Sequence, residues 1–428
     1  WMFARTIKSP DPAFSNVKVP LASTFMLSTK KGREAYLVPE KLGQDYRFKV
    51  KVGLPDNLEE VKKGTKSARG PNFTCLMSGA AINGSYIKEE SKEGRLGNVM
   101  MAIIADGPKG RIYLEPCNEH EFFLNDIKPV WRPSCEMSGS TQYLGVKPYG
   151  ITEFDQLFTN RQLLALNTFS DLLNDVQKVA NLDALSSGMI NDGKKLKDGG
   201  RGAFAYSEVI KTYLSLVVDK CSDYWSSICT WHNSGEKMRN TFGRQAIPMS
   251  WEYVEANPFS NSSGNWTAMK NWTSKALAKA PCFEEGIACQ SDATTQKISQ
   301  NKIISTDPPY FDNIPYADIS DFFYVWMRKN LKDIFPELFA TITVPKKEEL
   351  ISAPHRQGGK EKAKNFFLCG MTDALKNLSR QSNYAYPITI YYAFKQIEST
   401  DKQGRASTGW ETFLEAILNA GLAITGTW

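Results

Sequence analysis

Residues 302–321 read KIISTDPPYFDNIPYADISD, and the tetrapeptide Asp307-Pro308-Pro309-Tyr310 within them decides how the rest of the chain is read. Ile303 and Ile304 form a short apolar run that reads as a buried strand, and a helical pattern follows the motif. An acid, two prolines and an aromatic thus sit at the carboxyl end of a strand, where open α/β sheets place their ligands. A plain turn would also explain two prolines after an acid, with Tyr310 packed in a core. At average residue frequencies, though, D-P-P-Y arises by accident in only about one chain of this length in several hundred.

The flanking segments supply the fold. Residues 287–289 read as a short strand ending near Asp292, and 302–305 as the next. Residues 318–331 read as a helix with Phe322, Phe323 and Trp326 inward, and 360–378 as a longer helix. A strong strand follows at 388–394 (ITIYYAF), then a helix from Thr408, its cap, to Gly421, and a last strand at 422–428. Strands alternating with helices predict an α/β fold over 284–428, part of a mostly parallel, doubly wound, Rossmann-like sheet.

Residues 1–150 are β-rich by pattern, with alternating runs such as 46–52 (YRFKVKV) and 110–114 (GRIYL) between Gly, Pro and Lys-rich turns. The basic segment 59–70 (EEVKKGTKSARG) reads as a solvated loop, with a phosphate-contacting loop as the rival reading. From 151 to 283 the period is helical. Thr159 caps a helix carrying Leu163, Leu164, Phe169, Leu172, Leu173 and Val176, and further helices are expected near 203–224 and 266–280, with a loop at 186–202. In 236–248 (EKMRNTFGRQAIP), Lys237, Arg239 and Arg244 interleave with Phe242, a pattern that suits solvated surface or nucleic-acid contact.

Length and composition set outer bounds. A chain of 428 residues, 42% apolar and 12% aromatic, is long enough for two or three domains with a substantial core. Its net charge of +6 tolerates a nucleic-acid partner without demanding one. The eight cysteines are scattered rather than spaced as a disulfide scaffold, and no secretory h-region opens the chain, so reduced thiols in a cytoplasm are expected. The longest apolar runs, near 99–105 and 213–218, fall far short of the roughly 20 residues that span a bilayer, so no membrane association is expected. The chain opens at Trp1 and closes at Trp428 within a β-like run, and both ends read as cut.

The motif suits one kind of chemistry. An exocyclic base amine is a poor nucleophile because its lone pair is delocalised into the ring. A carboxylate and a carbonyl that accept its two N–H bonds favour the electron-rich, pyramidal nitrogen that attacks a methyl group. Asp307 offers the carboxylate, and the Pro308 carbonyl is held in place because proline fixes φ on both central residues. Tyr310, with Phe311 and Asn313 beside it, can contact a base swung out of its helix, each stacked ring contributing on the order of 1–3 kcal/mol. His120, His232 and His355 form no ligand-like pair, so no metal is expected.

This motif resembles the (D/N/S)-P-P-(Y/F/W) signature of DNA amino-methyltransferases. Residues 307–328 (DPPYFDNIPYADISDFFYVWMR), 336–341 (PELFAT), 358–367 (GGKEKAKNFF), 409–416 (GWETFLEA) and 425–428 (TGTW) resemble the adenine-specific DNA methylases that contain a zinc ribbon. So do 149–152 (YGIT), 157–166 (LFTNRQLLAL) and 239–246 (RNTFGRQA). The resemblance covers nearly the whole chain. It implies S-adenosylmethionine as donor and the 6-amino group of adenine in double-stranded DNA as acceptor, within a restriction-modification or phage-defence system and its subunits. It makes Asp307, Pro308, Pro309 and Tyr310 the catalytic positions. Asp292 is placed like the acid such enzymes use near the cofactor's adenosine, or is a solvated loop acid.

Two departures from the family pattern stand out. Its Gly-rich cofactor turn has no counterpart here, since 107–110 reads as a plain turn and 199–202 precedes the wrong pattern, so the donor pocket is expected to be incomplete. At the two cysteine pairs of the ribbon stand Ser9 and Phe14, then Cys75 and Ser78. One thiolate of four predicts packing by Phe14 in place of a metal. Methyl transfer to RNA or protein amines, and a DNA-binding subunit without catalysis, are the rival readings.

Overall fold

The computed structural model describes residues 1–117, 119–120, 127–280, 286–311, 314–393 and 408–427. Asn313, the end of the expected strand at Phe394, and the side chain proposed to cap at Thr408 lie outside the described residues. Two compact units form: Trp1–Pro281 with Phe322–Ile342, and Cys282–Asp321 with Thr343–Trp428.

The first unit is built on an antiparallel sheet whose path runs Gly110–Leu114, Gly97–Gly107, Met2–Lys8, Glu252–Val254, with Lys18–Leu21 also paired to Met2–Lys8. Met2–Lys8 is covered on both faces, and all of it except Lys8 is buried. Arg5 is tolerated there because Nε donates to the Ser250 carbonyl at 2.8 Å and Nη2 to Ser227 Oγ at 3.1 Å. Smaller sheets are made by Met26–Ser28, Ala35–Leu42 and Asp45–Val52, and by Lys66–Ala68, Asn72–Thr74 and Ala81–Ile82. The basic segment 59–70 is therefore not one loop. Asn57 caps a short helix, Leu58–Lys63, that ends at Gly64, and a strand follows. Gly64 has φ 59°, and a Cβ there would lie 2.6 Å from the Ala22 carbonyl oxygen.

The helices of this unit follow their caps and periods. Asn160–Ser186 begins with a reciprocal box, Gln162 N–H to Thr159 Oγ1 at 3.3 Å and Thr159 N–H to the Gln162 side chain at 2.9 Å. It packs along Ala203–Tyr224, and Trp266–Lys279 packs on the latter. Leu163, Leu166, Leu173, Val217, Val218 and Trp225 close the main core, joined by Phe322 and Trp326 as their spacing predicts.

Asp219, on Ala203–Tyr224, has its Oδ1 shut off from solvent without a hydrogen-bond partner among the described residues. Burial, reinforced by the charge of Asp223, raises its carboxyl well above the usual range. An acid whose carboxyl is raised on folding costs stability that is absent below the unfolded value near 4 and grows as pH rises above it. Asp219→Asn is therefore expected to stabilise the protein at neutral pH by on the order of 1–3 kcal/mol. Urea unfolding at pH 4 and pH 7 checks this: the gain should appear at pH 7 and shrink toward pH 4.

The second unit is mixed α/β but has no doubly wound sheet among its described residues. Ser305–Thr306 pairs in parallel with Thr389–Ile390, Ser305 facing Thr389 and Thr306 facing Ile390. Ile304 is buried, whereas Ile303 is 65% exposed, so the apolar run alternates instead of burying both residues. The expected strand at 287–289 is not formed, and Ile287 is 92% exposed. Residues 422–427 do not form the expected last strand either. An apolar run becomes a parallel strand only when a neighbour takes its hydrogen bonds, and only two such runs meet here. The core of the unit lies between helices: Ala363, Phe367, Met371 and Leu375 line one face of Lys360–Gln381 at four-residue intervals, and Phe413 and Ile417 of Thr408–Asn419 join the same cluster. The helix Tyr316–Leu331 starts in this unit and continues in the first. Among the described residues no helix is long and apolar enough to cross a membrane.

Candidate functional site

The tetrapeptide leaves the carboxyl end of the parallel strand Ser305–Thr306. The strand is fixed by main-chain bonds from Thr389 N–H to the Ile304 carbonyl at 3.0 Å and from Tyr391 N–H to the Thr306 carbonyl at 2.8 Å. Asp307 is exposed, and Pro308, Pro309 and Tyr310 are half-buried. The Asp307 carboxylate accepts a hydrogen bond from the Tyr310 phenol and is otherwise open to solvent, which leaves acceptor capacity for an incoming donor.

Tyr310 lies beside that carboxylate. Burial and the charge of Asp307 together raise its phenol above the ordinary value. Its ring meets Tyr392 edge-on, with centroids 5.2 Å apart at 69°. Tyr392 in turn stacks on Phe413 at 3.7 Å and 4°, and its hydroxyl accepts the Phe311 N–H at 3.0 Å. Tyr392 was legible only as part of a strand, yet it backs the motif from 81 residues away. Phe311 is turned to structural use: its ring packs edge-on against Phe367 at 5.1 Å, and its carbonyl accepts the Ser352 N–H at 2.6 Å. A Cβ on Gly409 would lie 3.1 Å from the Phe311 ring, so a side chain there would press on the loop.

A second phenol also stands near the motif. Tyr316 is 43% exposed at the start of Tyr316–Leu331, and burial, then the nearby Tyr310 and Asp307, raise it. The helix start is tied down by the Ala317 N–H to Glu349 at 2.9 Å, by Arg356 to both Glu349 and Asp318 at 2.6 Å, and by Lys346 to Asp321 at 2.7 Å. Asp318 and Asp321 are buried, and such acids are tolerable only because each has a cation in contact.

The other predicted residues are dispersed. Asp292 does not end a strand; it is exposed on a turn where its carboxylate accepts the N–H and hydroxyl of Thr294, at 2.8 and 2.7 Å. These bonds hold it below the usual carboxylate range. With that carboxylate engaged by its own turn, and no Gly-rich strand-to-helix turn beside it, the described residues do not fit an adenosine-binding donor pocket. Lys237 and Arg239 are exposed at either end of the strand Lys237–Arg239, and Arg244 is exposed on the loop beyond it. They belong to the first unit, as Asp307 belongs to the second.

Three of the four positions that the ribbon resemblance singles out, Ser9, Cys75 and Ser78, meet within the first unit. Ser9 Oγ lies 3.2 Å from Cys75 Sγ, Ser78 also bonds the thiol, and Phe14 packs against the apolar cluster that contains Cys75. Burial opposes ionisation of this thiol, but the Ser78 and Ser9 bonds hold it below the ordinary range. One thiol, two hydroxyls and a phenyl do not fit a structural zinc ion, which takes four nitrogen, sulfur or carboxylate ligands.

No family model matches the chain, and no curated protein or solved structure does either.

Proposed function

We propose that this chain carries the amine-accepting part of an S-adenosylmethionine-dependent methyltransferase that modifies the 6-amino group of adenine in double-stranded DNA, within a restriction-modification or phage-defence system. The observation that carries this reading is the D-P-P-Y motif at the end of a parallel strand, with Asp307 exposed and Tyr310 beside it, braced by Tyr392. Asp307 and the Pro308 carbonyl take the N–H bonds of a flipped adenine while Tyr310 offers its ring to the base. The meeting of Ser9 and Ser78 at Cys75 adds support, since Ser9 and Cys75, 66 residues apart in sequence, come together where the resemblance expects a ribbon.

A second reading, a DNA-binding subunit without catalysis, is favoured by the two-stranded sheet and the self-satisfied Asp292. Protein made from its complete coding sequence should be incubated with methyl-labelled S-adenosylmethionine and each of four acceptors: duplex DNA, the same duplex with N6-methyladenine at every adenine, RNA, and protein lysate. Label in the unmodified duplex alone is the expected result. Label in RNA or protein reassigns the substrate, and DNA binding without label selects the second reading.

A further inference from the structure

The first unit contains a cavity of about 300 Å3 that the D-P-P-Y motif does not use. That is the lower end of the range for small-ligand sites, room for one compact planar group. Its apolar wall includes Ile104 and the cross-strand pair Trp231 and Met238. Its polar wall is a connected triad. Arg111 Nη1 donates to Ser262 Oγ at 2.7 Å, Ser262 Oγ donates to Asp106 Oδ2 at 3.1 Å, and Arg111 pairs with Asp106. The cavity therefore offers an acceptor and donors side by side against an aromatic and thioether surface, the combination that reads the edge of a nucleobase while covering its face.

A cationic rim adjoins it. Arg111 Nε reaches the Glu236 carbonyl at 3.5 Å, and the buried Glu236, at φ 48°, gathers two cations on its carboxylate: Arg33 at 2.7 Å and Lys30 at 3.6 Å. Ser28 and Tyr113 hydroxyls complete its shell, both at 3.3 Å. Arg33 also donates to the Lys109 carbonyl at 3.2 Å, which brings the 107–110 turn alongside. Lys31, Lys109 and Lys237 are exposed and form no ion pair among the described residues. The rim thus carries an excess of positive charge over Glu34 and Glu236, held by a carboxylate in a left-handed conformation that non-glycine residues adopt only when surrounding contacts impose it.

We propose that this cavity and rim form a nucleotide-binding site, the base against Trp231 and Met238 with its edge on Asp106, Arg111 and Ser262, and the phosphate on Lys31 and Lys109, beside the turn that joins the Asp106 and Arg111 strands. The ligand is a 5′-phosphorylated nucleoside, either free or as one unit of a DNA strand. The full chain should be titrated by calorimetry with thymidine 5′-monophosphate, which lacks the exocyclic amine that Asp307 would take, with a 5′-phosphorylated thymidine hexanucleotide, and with inorganic phosphate. At least one nucleotide probe is expected to bind tenfold or more tightly than phosphate. That affinity should fall at least tenfold in the surface variant K31E/K109E, with a flatter salt dependence. It should fall comparably in D106A/S262A, with folding of both variants checked by circular dichroism. A hexanucleotide that outcompetes the mononucleotide assigns the site to a strand, and the reverse assigns it to free nucleotide. Phosphate binding as tightly as either nucleotide, no nucleotide binding, or affinities untouched by both variants overturns the proposal. Asp307→Ala is expected to leave these affinities unchanged, so a failure here is distinct from a failure of the methyltransferase reading.

Discussion

Asp307→Ala is expected to abolish methyl transfer to adenine while leaving the protein folded. The carboxylate is exposed, so its removal deletes no buried contact, and surface substitutions of this kind stay within about 0.5 kcal/mol of stability. The kinetic loss is of another order. Removing one preorganised polar partner from a developing charge costs about 10²–10³ in kcat, or about 2.7–4 kcal/mol. In the proposed reaction Asp307 would take an N–H of the reacting amine itself, so its loss should be at the upper end or beyond. Asp307→Asn keeps one oxygen acceptor in place and should retain more activity than alanine. Steady-state kinetics on a defined duplex, with thermal melts of each variant, provide the check. Full activity in Asp307→Ala would remove the tetrapeptide from the mechanism.

The triple variant S9C/F14C/S78C is expected to bind one zinc ion per chain where the parent sequence does not. Ser9 Oγ already lies 3.2 Å from the Cys75 thiol. Ser78 follows Cys75 in a tight turn closed by the Gly79 N–H to the Cys75 carbonyl at 2.9 Å, with Gly79 at φ 79°. Phe14 closes the same cluster from the 3-10 turn Pro12–Phe14. Cysteine at the three positions would place four sulfur ligands around one apolar cluster, and metal binding then adds to folding free energy. At a thousandfold excess of free zinc over Kd the gain is about 4 kcal/mol. Cobalt substitution, with absorption bands of a tetrahedral thiolate site, reads the geometry directly, and chelator should return the melting temperature to its metal-free value. A variant that stays metal-free would show that the four positions do not share one coordination sphere.

What the sequence reveals divides along a physical line. The helices at 160–186 and 203–224 are legible because their information is local: a capping Thr159 with Gln162 three residues on, and apolar residues at helical spacing. The motif's place after a strand is legible for the same reason. The extent of the sheet is not: a doubly wound sheet is expected and only a two-stranded one forms among the described residues of the second unit, because β-structure is a property of pairs, and Ile287 or Ile424 looks strand-like whether or not a neighbour comes to meet it. Composition misled at 59–70, where Lys and Gly suggest a loop although Asn57 and Gly64 carry the signals of a helix at each end. Tyr392 has no local signature because it is donated to the site by an element far along the chain.

The backing of Tyr310 by Tyr392 has a consequence for biosynthesis. On the ribosome, the loop after Thr306 emerges well before the residues that steady it, since the Phe311 N–H waits for a hydroxyl 81 residues further along the chain. At translation rates of about 5–20 residues per second that interval is several seconds, during which Asp307 is already present but unsupported. The loop after Thr306 therefore cannot take its final form until Tyr392 has emerged.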